Sequence, residues 1–333
     1  RSSIHKGSET LLAVYYRQQT LFGASESGER GVEQEEYFEL SEPYATIADG
    51  DGVPVAFADI DKKIYLLQFQ IERNDPDGTT MLRNFAGAIC GCTPWWTDER
   101  ILTGARQKII DAVGEGEAIC AMSGGLDSTV AAVLAKQAIG DRAKCVFVDT
   151  GLLRENEAEK AERYFTQELG LPFRRIDASA RVLEALSGLE EMDAKWQVIE
   201  DEISRALRHA AREDGKKRVF IKGTNYVDVS NGSSTEPIDC GCGEVEPLGD
   251  LFKEEIRRIG EILGLSGEML DRQPFPGMGL AARIRGEVTA ERLGVLRRAN
   301  AIFVEEMTEA GAEKRLKRYF AMLSEVKNEG VII

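Results

Sequence analysis

Apolar and polar positions fall into two textures along the chain, and the change lies near residue 95. Before it, short apolar runs alternate with turns. Pro54-Val55-Ala56-Phe57-Ala58 and Lys63-Ile64-Tyr65-Leu66-Leu67-Gln68-Phe69 flank Asp59-Ile60-Asp61-Lys62, which predicts a β-hairpin. Met81 to Cys90 sets Leu82, Phe85 and Ile89 on one face and predicts a short helix. Thr93-Pro94-Trp95-Trp96-Thr97 is rich in turn formers and marks a domain junction. From about 98 onward strands and helices alternate. Ala118-Ile119-Cys120-Ala121-Met122 and Cys145-Val146-Phe147-Val148 are apolar enough for buried parallel strands, and Pro172 to Ile176 and Arg218 to Lys222 supply two more. Between them, Val130, Val133, Leu134 and Ala138 follow helical spacing. So do Ala158, Ala161, Tyr164 and Phe165 within Glu155 to Leu169, and Ile199, Ile203, Leu207 and Ala210 further on. The fold class predicted is α/β: a doubly wound parallel sheet, with its ligand at the C-terminal strand ends, behind a smaller N-terminal domain.

Composition narrows the function classes. At 333 residues, 43% hydrophobic and 30% charged, the chain matches a globular protein of about two domains. No run approaches the ~18 apolar residues of a membrane span, and no apolar signal segment follows Arg1-Ser2-Ser3-Ile4-His5, so a cytoplasmic protein without membrane contact is expected. Six cysteines are too few for a disulfide scaffold. A net charge of −15 disfavours general nucleic-acid binding, yet leaves room for a small phosphorylated ligand held by backbone N–H groups. With only His5 and His209, a His-rich metal site or His-based triad is hard to assemble. The chain opens without an initiating Met and stops on the apolar run Gly330-Val331-Ile332-Ile333, as a piece of a longer protein would.

The sharpest local feature is Ser123-Gly124-Gly125-Leu126-Asp127-Ser128-Thr129, between a buried strand and an amphipathic helix. Two glycines let the backbone turn tightly and approach a ligand. The helix that follows directs its unpaired N–H groups and positive dipole end at whatever sits there, which suits a phosphate. Ser123, Ser128 and Thr129 add hydroxyls, and Asp127 beside a phosphate implies a bridging Mg²⁺. The plainer alternative is that Ser128 or Asp127 merely caps the helix. Gly-Lys-Ser/Thr is absent, so this is not a Walker loop.

Ser-Gly-Gly-X-Asp-Ser resembles the PP-loop of the ATP pyrophosphatases, and further stretches resemble GMP synthetase within that family. They are Cys145 to Arg154, Gly223-Thr224-Asn225-Tyr226-Val227-Asp228-Val229, Glu246 to Arg257, Pro274 to Val288 and Leu296 to Phe303, so the similarity covers nearly all of 98–333. Residues 1–95 resemble the tail of a class I glutamine amidotransferase domain. There Gln68-Phe69-Gln70-Ile71-Glu72 stands where that family has Gln-Phe-His-Pro-Glu. The implied domains are a truncated, non-catalytic amidotransferase remnant over 1–95, an ATP pyrophosphatase domain over 98–288, and the truncated start of a dimerisation-type domain over 289–333. The implied reaction is adenylation of XMP by ATP, with release of pyrophosphate, then amination by ammonia to give GMP. ATP and Mg²⁺ are the implied cofactors. XMP and ammonia are the implied substrates, and a second copy or a separate ammonia-supplying glutaminase the implied partner. The resemblance assigns Ser123, Gly124, Gly125, Leu126, Asp127, Ser128, Thr129, Asp149 and Lys253 to ATP, Asp127 and Ser128 to catalysis, and Asp127 to the metal. Asp228 and Arg283 fall to the substrate.

Several positions depart from the family pattern. Gln70 replaces the histidine that would activate a nucleophilic thiol, and no Gly-X-Cys-X-Gly elbow exists, so glutamine hydrolysis is not expected of this chain. Lys195-Trp196-Gln197 stands for Lys-Arg-Lys, and the lid is cut to Asn231-Gly232-Ser233-Ser234-Thr235-Glu236-Pro237. Two rival functions follow: a paralogue that adenylates a different compound, and a degenerate ATP-binding subunit without catalysis. Plainer readings also stand beside individual residues. Asp149 suits a turn as well as a metal or ribose, and Lys253 and Arg257 suit a solvated helix face. Cys90-Gly91-Cys92 and Cys240-Gly241-Cys242 suit turns as well as a four-thiolate metal site.

Overall fold

The computed structural model describes residues 11–14, 18–20, 33–35, 42–50, 53–68, 76–216, 218–231, 243–272, 275, 277–312, 316 and 319–324. It divides into two compact units, Arg1–Trp95 and Trp96–Ile333. In the first, strands β1 (Leu11–Val14), β4 (Ala45–Gly50), β5 (Val53–Asp59) and β6 (Ile64–Leu67) form a sheet in the order β1-β6-β5-β4. β1 runs parallel to β6 and the other pairs are antiparallel. β2 (Gln18–Thr20) and β3 (Glu33–Glu35) make a separate antiparallel ribbon. The expected hairpin is β5–β6. Its turn is closed by Asp59, whose carboxylate accepts the Lys62 N–H at 3.0 Å. The expected helix begins earlier, as α1 (Pro76–Asn84), and widens into a π turn over Phe85–Ile89. Of the predicted apolar face, Leu82 is exposed while Phe85 and Ile89 are half-buried, and Phe85 sits edge-on to Tyr65 with ring centroids 5.7 Å apart. Gln70 and Glu72 lie outside the described residues.

The second unit opens with α2 (Asp98–Val113), capped by the Thr97 hydroxyl. Ile101, Ala105, Ile109 and Val113 recur every fourth residue and are buried, although the sequence pattern above does not pick this helix out. The elements then alternate as β7 (Glu117–Met122), α3 (Leu126–Ile139), β8 (Ala143–Asp149), α4 (Glu157–Arg163), β9 (Phe173–Asp177), α5 (Ser179–Ala185), α6 (Met192–Arg212) and β10 (Arg218–Ile221). After them come α7 (Tyr226–Ser230), β11 (Glu244–Val245), α8 (Lys253–Ile262), α9 (Gly267–Leu270) and α10 (Ala290–Glu309).

The strand order is β11-β10-β7-β8-β9, and every pair is parallel. Along β7, Ala118, Cys120 and Met122 enter one apolar cluster with Ile109, Leu134, Phe165 and Ile259, while Ile119 enters another with Val146, Leu207 and Phe220. The sheet is therefore covered on both faces, as parallel sheets require. A third cluster packs Leu152, Val182, Leu186 and Ile199 against Leu280, Ile284, Leu293 and Leu296, so α10 is part of this unit. The chain runs outward from β7 to β8 and β9, then returns to the far side as β10 and β11. The order reverses between β7 and β10, and in such sheets the crevice at the reversal is where ligands bind.

Candidate functional site

The loop after β7 is shaped by its own hydroxyls. Gly124 takes φ +77°, a left-handed conformation that a side chain would strain, and Gly125 occupies the N-cap of α3. Ser123 and Ser128 hydroxyls lie 3.0 Å apart, the Gly125 N–H donates to Ser123 Oγ at 3.3 Å, and Ser128 Oγ donates to the Gly125 carbonyl at 3.1 Å. The first-turn N–H groups of α3 have no acceptor within the helix, so they form an anion cradle at its positive end. Leu126 contributes only its backbone to that cradle, because its side chain packs against the core. Thr129 departs from the sequence expectation: it is wholly buried and its hydroxyl donates inward to the Gly125 carbonyl at 2.7 Å. It fixes the loop rather than presenting a hydroxyl to a phosphate.

Two residues that sequence reasoning left unassigned set the loop's position. The Arg272 guanidinium donates to the Gly124 carbonyl and pairs with Glu157. A trans peptide points its carbonyl and the next N–H in opposite directions, so holding the Gly124 carbonyl also aims the Gly125 N–H away from Arg272. On the other side, Gly223 follows β10 so closely that a Cβ there would lie 2.5 Å from the Ser128 nitrogen. Glycine is what lets the end of β10 rest on the start of α3.

Asp127 stands in the crevice between these strand ends. Its Oδ2 accepts from Asn225 Nδ2 at 3.0 Å, and Lys253 Nζ lies 4.0 Å from the same oxygen. Burial raises the Asp127 carboxyl above the usual aspartate range, Asn225 and Lys253 draw it partly back, and the nearby Asp228 charge adds to the rise. Asn225 is itself buried and caps α7, accepting the Val227 and Asp228 N–H groups at 2.9 and 3.2 Å. Asp228 returns a bond to the Asn225 N–H at 3.2 Å, so it supports the cap that aims Asn225. The signal for Asn225 was present in the sequence as a cap-forming residue shortly after a strand.

Asp149 and Arg283, expected at ATP and at the substrate, both have partners within the protein. Asp149 ends β8, but its carboxylate is filled: it accepts the Gly151 N–H at 2.8 Å and two Arg175 donors at 3.0 and 2.5 Å. Arg283 is buried in the third cluster, donates to Asn300 Oδ1 at 3.1 Å, and lies over the Phe320 ring at 4.6 Å. Lys195 is fully buried and ties α6 to the Ile284 and Gly286 carbonyls at 3.2 and 2.5 Å. Trp196 is exposed beside Gly277. Cys90 and Cys92 are exposed free thiols, while Cys240, Cys242 and the lid residues 232–237 lie outside the described residues.

Among the described residues no three His, Cys, Asp or Glu side chains converge as a metal cage. Mg²⁺ does not require one, since it is commonly held by one or two carboxylates together with substrate phosphates. Asp127 beside the cradle, with Asp228 close by, fits that pattern. The half-buried carboxylate, whose charge burial opposes, would be relieved by a cation.

A family model for NAD synthase matches residues 100–295. A glutamine-hydrolysing GMP synthase of Clostridium botulinum (strain Eklund 17B / Type B) is 36% identical, over 97% of this chain and 67% of its own length. The chain belongs to the GMP synthase family. A second member, from Clostridium tetani (strain Massachusetts / E88), is 39% identical over 88% of this chain, which spans 61% of that relative. A solved NH3-dependent NAD synthetase from Campylobacter jejuni superposes with a TM-score of 0.45 at 18% identity, covering 67% of this chain and 94% of that one. Among the described residues no helix is long and apolar enough to cross a membrane.

Proposed function

We propose that this chain catalyses the ATP-dependent amination of XMP, with ammonia as the nitrogen donor. The supporting observation is the convergence on Asp127: the cradle of α3, Asn225 from the end of β10 and Lys253 from the start of α8 meet at one carboxylate. Similarity to GMP synthases over 88–97% of the chain supports XMP as the acceptor.

In the proposed reaction the C2 oxygen of XMP attacks the α-phosphorus of ATP. The bond from that phosphorus to the bridging oxygen breaks, and pyrophosphate leaves. Ammonia then adds at C2, and AMP departs with the oxygen. The N–H groups of Leu126 to Ser128 face the pyrophosphate as its charge grows, and Lys253 adds a cation at the rim. Donors fixed in advance in this way are each worth about 10²–10³ in rate. Asp127 and Asp228 would hold Mg²⁺, which neutralises phosphate charge. Ser128 acts through the loop, holding Ser123 and Gly125 in place.

A second reading keeps the adenylation and changes the acceptor. It is favoured by Trp196, an exposed indole where the family resemblance expects a cation. One assay separates the two: pyrophosphate release from ATP, Mg²⁺ and ammonium with XMP or with other carbonyl and carboxylate compounds. Equal yields of pyrophosphate, AMP and GMP with XMP are expected. Release only with another acceptor establishes the paralogue, and ATP binding without any release defeats both readings.

A further inference from the structure

Beyond the loop, at the same C-terminal edge of the sheet, three guanidinium groups surround a single carboxylate. Arg154 lies in the β8–α4 connection, Arg272 follows α9, and Arg283 closes the short 3₁₀ turn Gly279–Arg283. Glu157 is already committed, with one oxygen on Arg272 and the other accepting the Arg154 main-chain N–H at 2.9 Å. Arg283 gives one N–H to Asn300. The Arg154 guanidinium makes no hydrogen bond to any described residue, and its Nε is buried without a partner. It is held by stacking alone, 4.3 Å over the Phe275 ring, and Arg283 lies over the same ring at 5.2 Å. Among the described residues no carboxylate forms an ion pair with either group.

A guanidinium carries five donors and no acceptor, and its charge is costly to remove from water unless an anion meets it. Buried donors left unpaired in a native fold are few, and each calls for an explanation such as an ion or ligand. Two like charges packed on one aromatic ring repel each other, so the arrangement is unfavourable for a merely structural role. Burial pulls Arg283 down to about 10, the neighbouring Arg154 charge adds to the fall, and Glu157 only partly opposes it. An anion seated between Arg154 and Arg283 would answer the unspent donors and the repulsion together. Bidentate capture of a phosphate is what arginine does best.

We propose that Arg154 and Arg283, stacked on Phe275, form a second anion site, separate from the cradle of α3, that receives a phosphate dianion. Arg272 joins the two sites, since it touches both the Gly124 carbonyl and Glu157. The proposal rests on the reaction above only for the origin of the phosphate. That origin is either the 5′-phosphate of the acceptor nucleotide or the terminal phosphate of ATP.

The test is Arg154→Met in the full chain, with Arg154→Lys beside it and thermal unfolding to check the fold. Calorimetric titration with a nucleoside monophosphate, and separately with ATP, reads binding without requiring turnover. Loss of one charge-assisted contact should weaken the affected ligand about ten- to hundredfold, with partial recovery in Arg154→Lys. If the acceptor supplies the phosphate, monophosphate affinity and its KM in pyrophosphate release change while ATP binding stays within about twofold. If ATP supplies it, the ATP titration changes instead. A folded Arg154→Met chain that binds both ligands as the wild type does overturns the site, whether or not XMP proves to be the substrate.

Discussion

Asp127 is an acid that the fold places where burial opposes its charge, and that choice has a measurable price. Its carboxyl lies above the ordinary aspartate value of 3.8, first because of burial, with Asn225 and Lys253 only partly offsetting it. An acid whose folded value is raised destabilises the fold when ionised. The penalty is complete above the folded value and absent below the unfolded one. Asp127→Asn removes the charge and leaves Asn225 an amide oxygen to donate to. The variant is therefore expected to melt higher than the wild type at pH 7, with the advantage shrinking as the pH falls toward 3.8. Pyrophosphate release should be abolished throughout. Melting curves across that range check the sign, and a difference that does not vary with pH would mean the carboxyl is not opposed by burial. Unchanged turnover would remove Asp127 from the reaction.

Between elements, the decisive contact is backbone on backbone. A Cβ on Gly223 would meet the Ser128 nitrogen and Cα at 2.5 and 2.6 Å, with no flexible side chain to give way. Gly223→Ala must therefore part β10 from α3, at about 1–3 kcal/mol by analogy with overpacked cores. Gly104, exposed on α2 with open space around it, is the contrast. Gly104→Ala should stabilise by up to about 1 kcal/mol through helix propensity. Urea unfolding should show opposite shifts, and only Gly223→Ala should also weaken ATP binding. This contact explains what the sequence could and could not disclose. The strand, glycine pair and helix of 118–134 are contiguous, so their pattern and purpose could be read directly. Asn225 and Arg272 reach the loop from 98 and 148 residues away, distances that local periodicity does not cross. Periodicity is equally silent on which way a side chain turns at an element's end. For that reason Thr129 and Asp149 looked like ligands yet spend their polar atoms inside the protein. The helix α2 escaped notice because four apolar positions are diluted among charges, and β11 because it is two residues long.

At the scale of the whole molecule, a chain of net charge −15 must attract a polyanionic nucleotide by local means. In the proposed reaction the cradle of α3, Lys253 and the arginines near Glu157 would supply that attraction at one edge of the sheet. The same scale bears on the proposed nitrogen source. Hydrolysing glutamine needs a thiolate with a histidine beside it. Of the four described cysteines, Cys120 and Cys145 are buried side by side in β7 and β8. The Cys120 thiol is raised well above its ordinary value, first by its hydrogen bond with the Cys145 thiol and then by burial, so it is a poor nucleophile. Cys90 and Cys92 are exposed, but the position where the amidotransferase pattern has histidine is Gln70, whose amide cannot accept the proton. The chain is accordingly expected to make GMP with ammonium salts and to give none with glutamine alone. With ammonium, the rate should rise with pH as the free base grows, until the enzyme itself titrates. Turnover on glutamine that disappears when the exposed thiols are alkylated would show instead that a nucleophile has been assembled without the histidine.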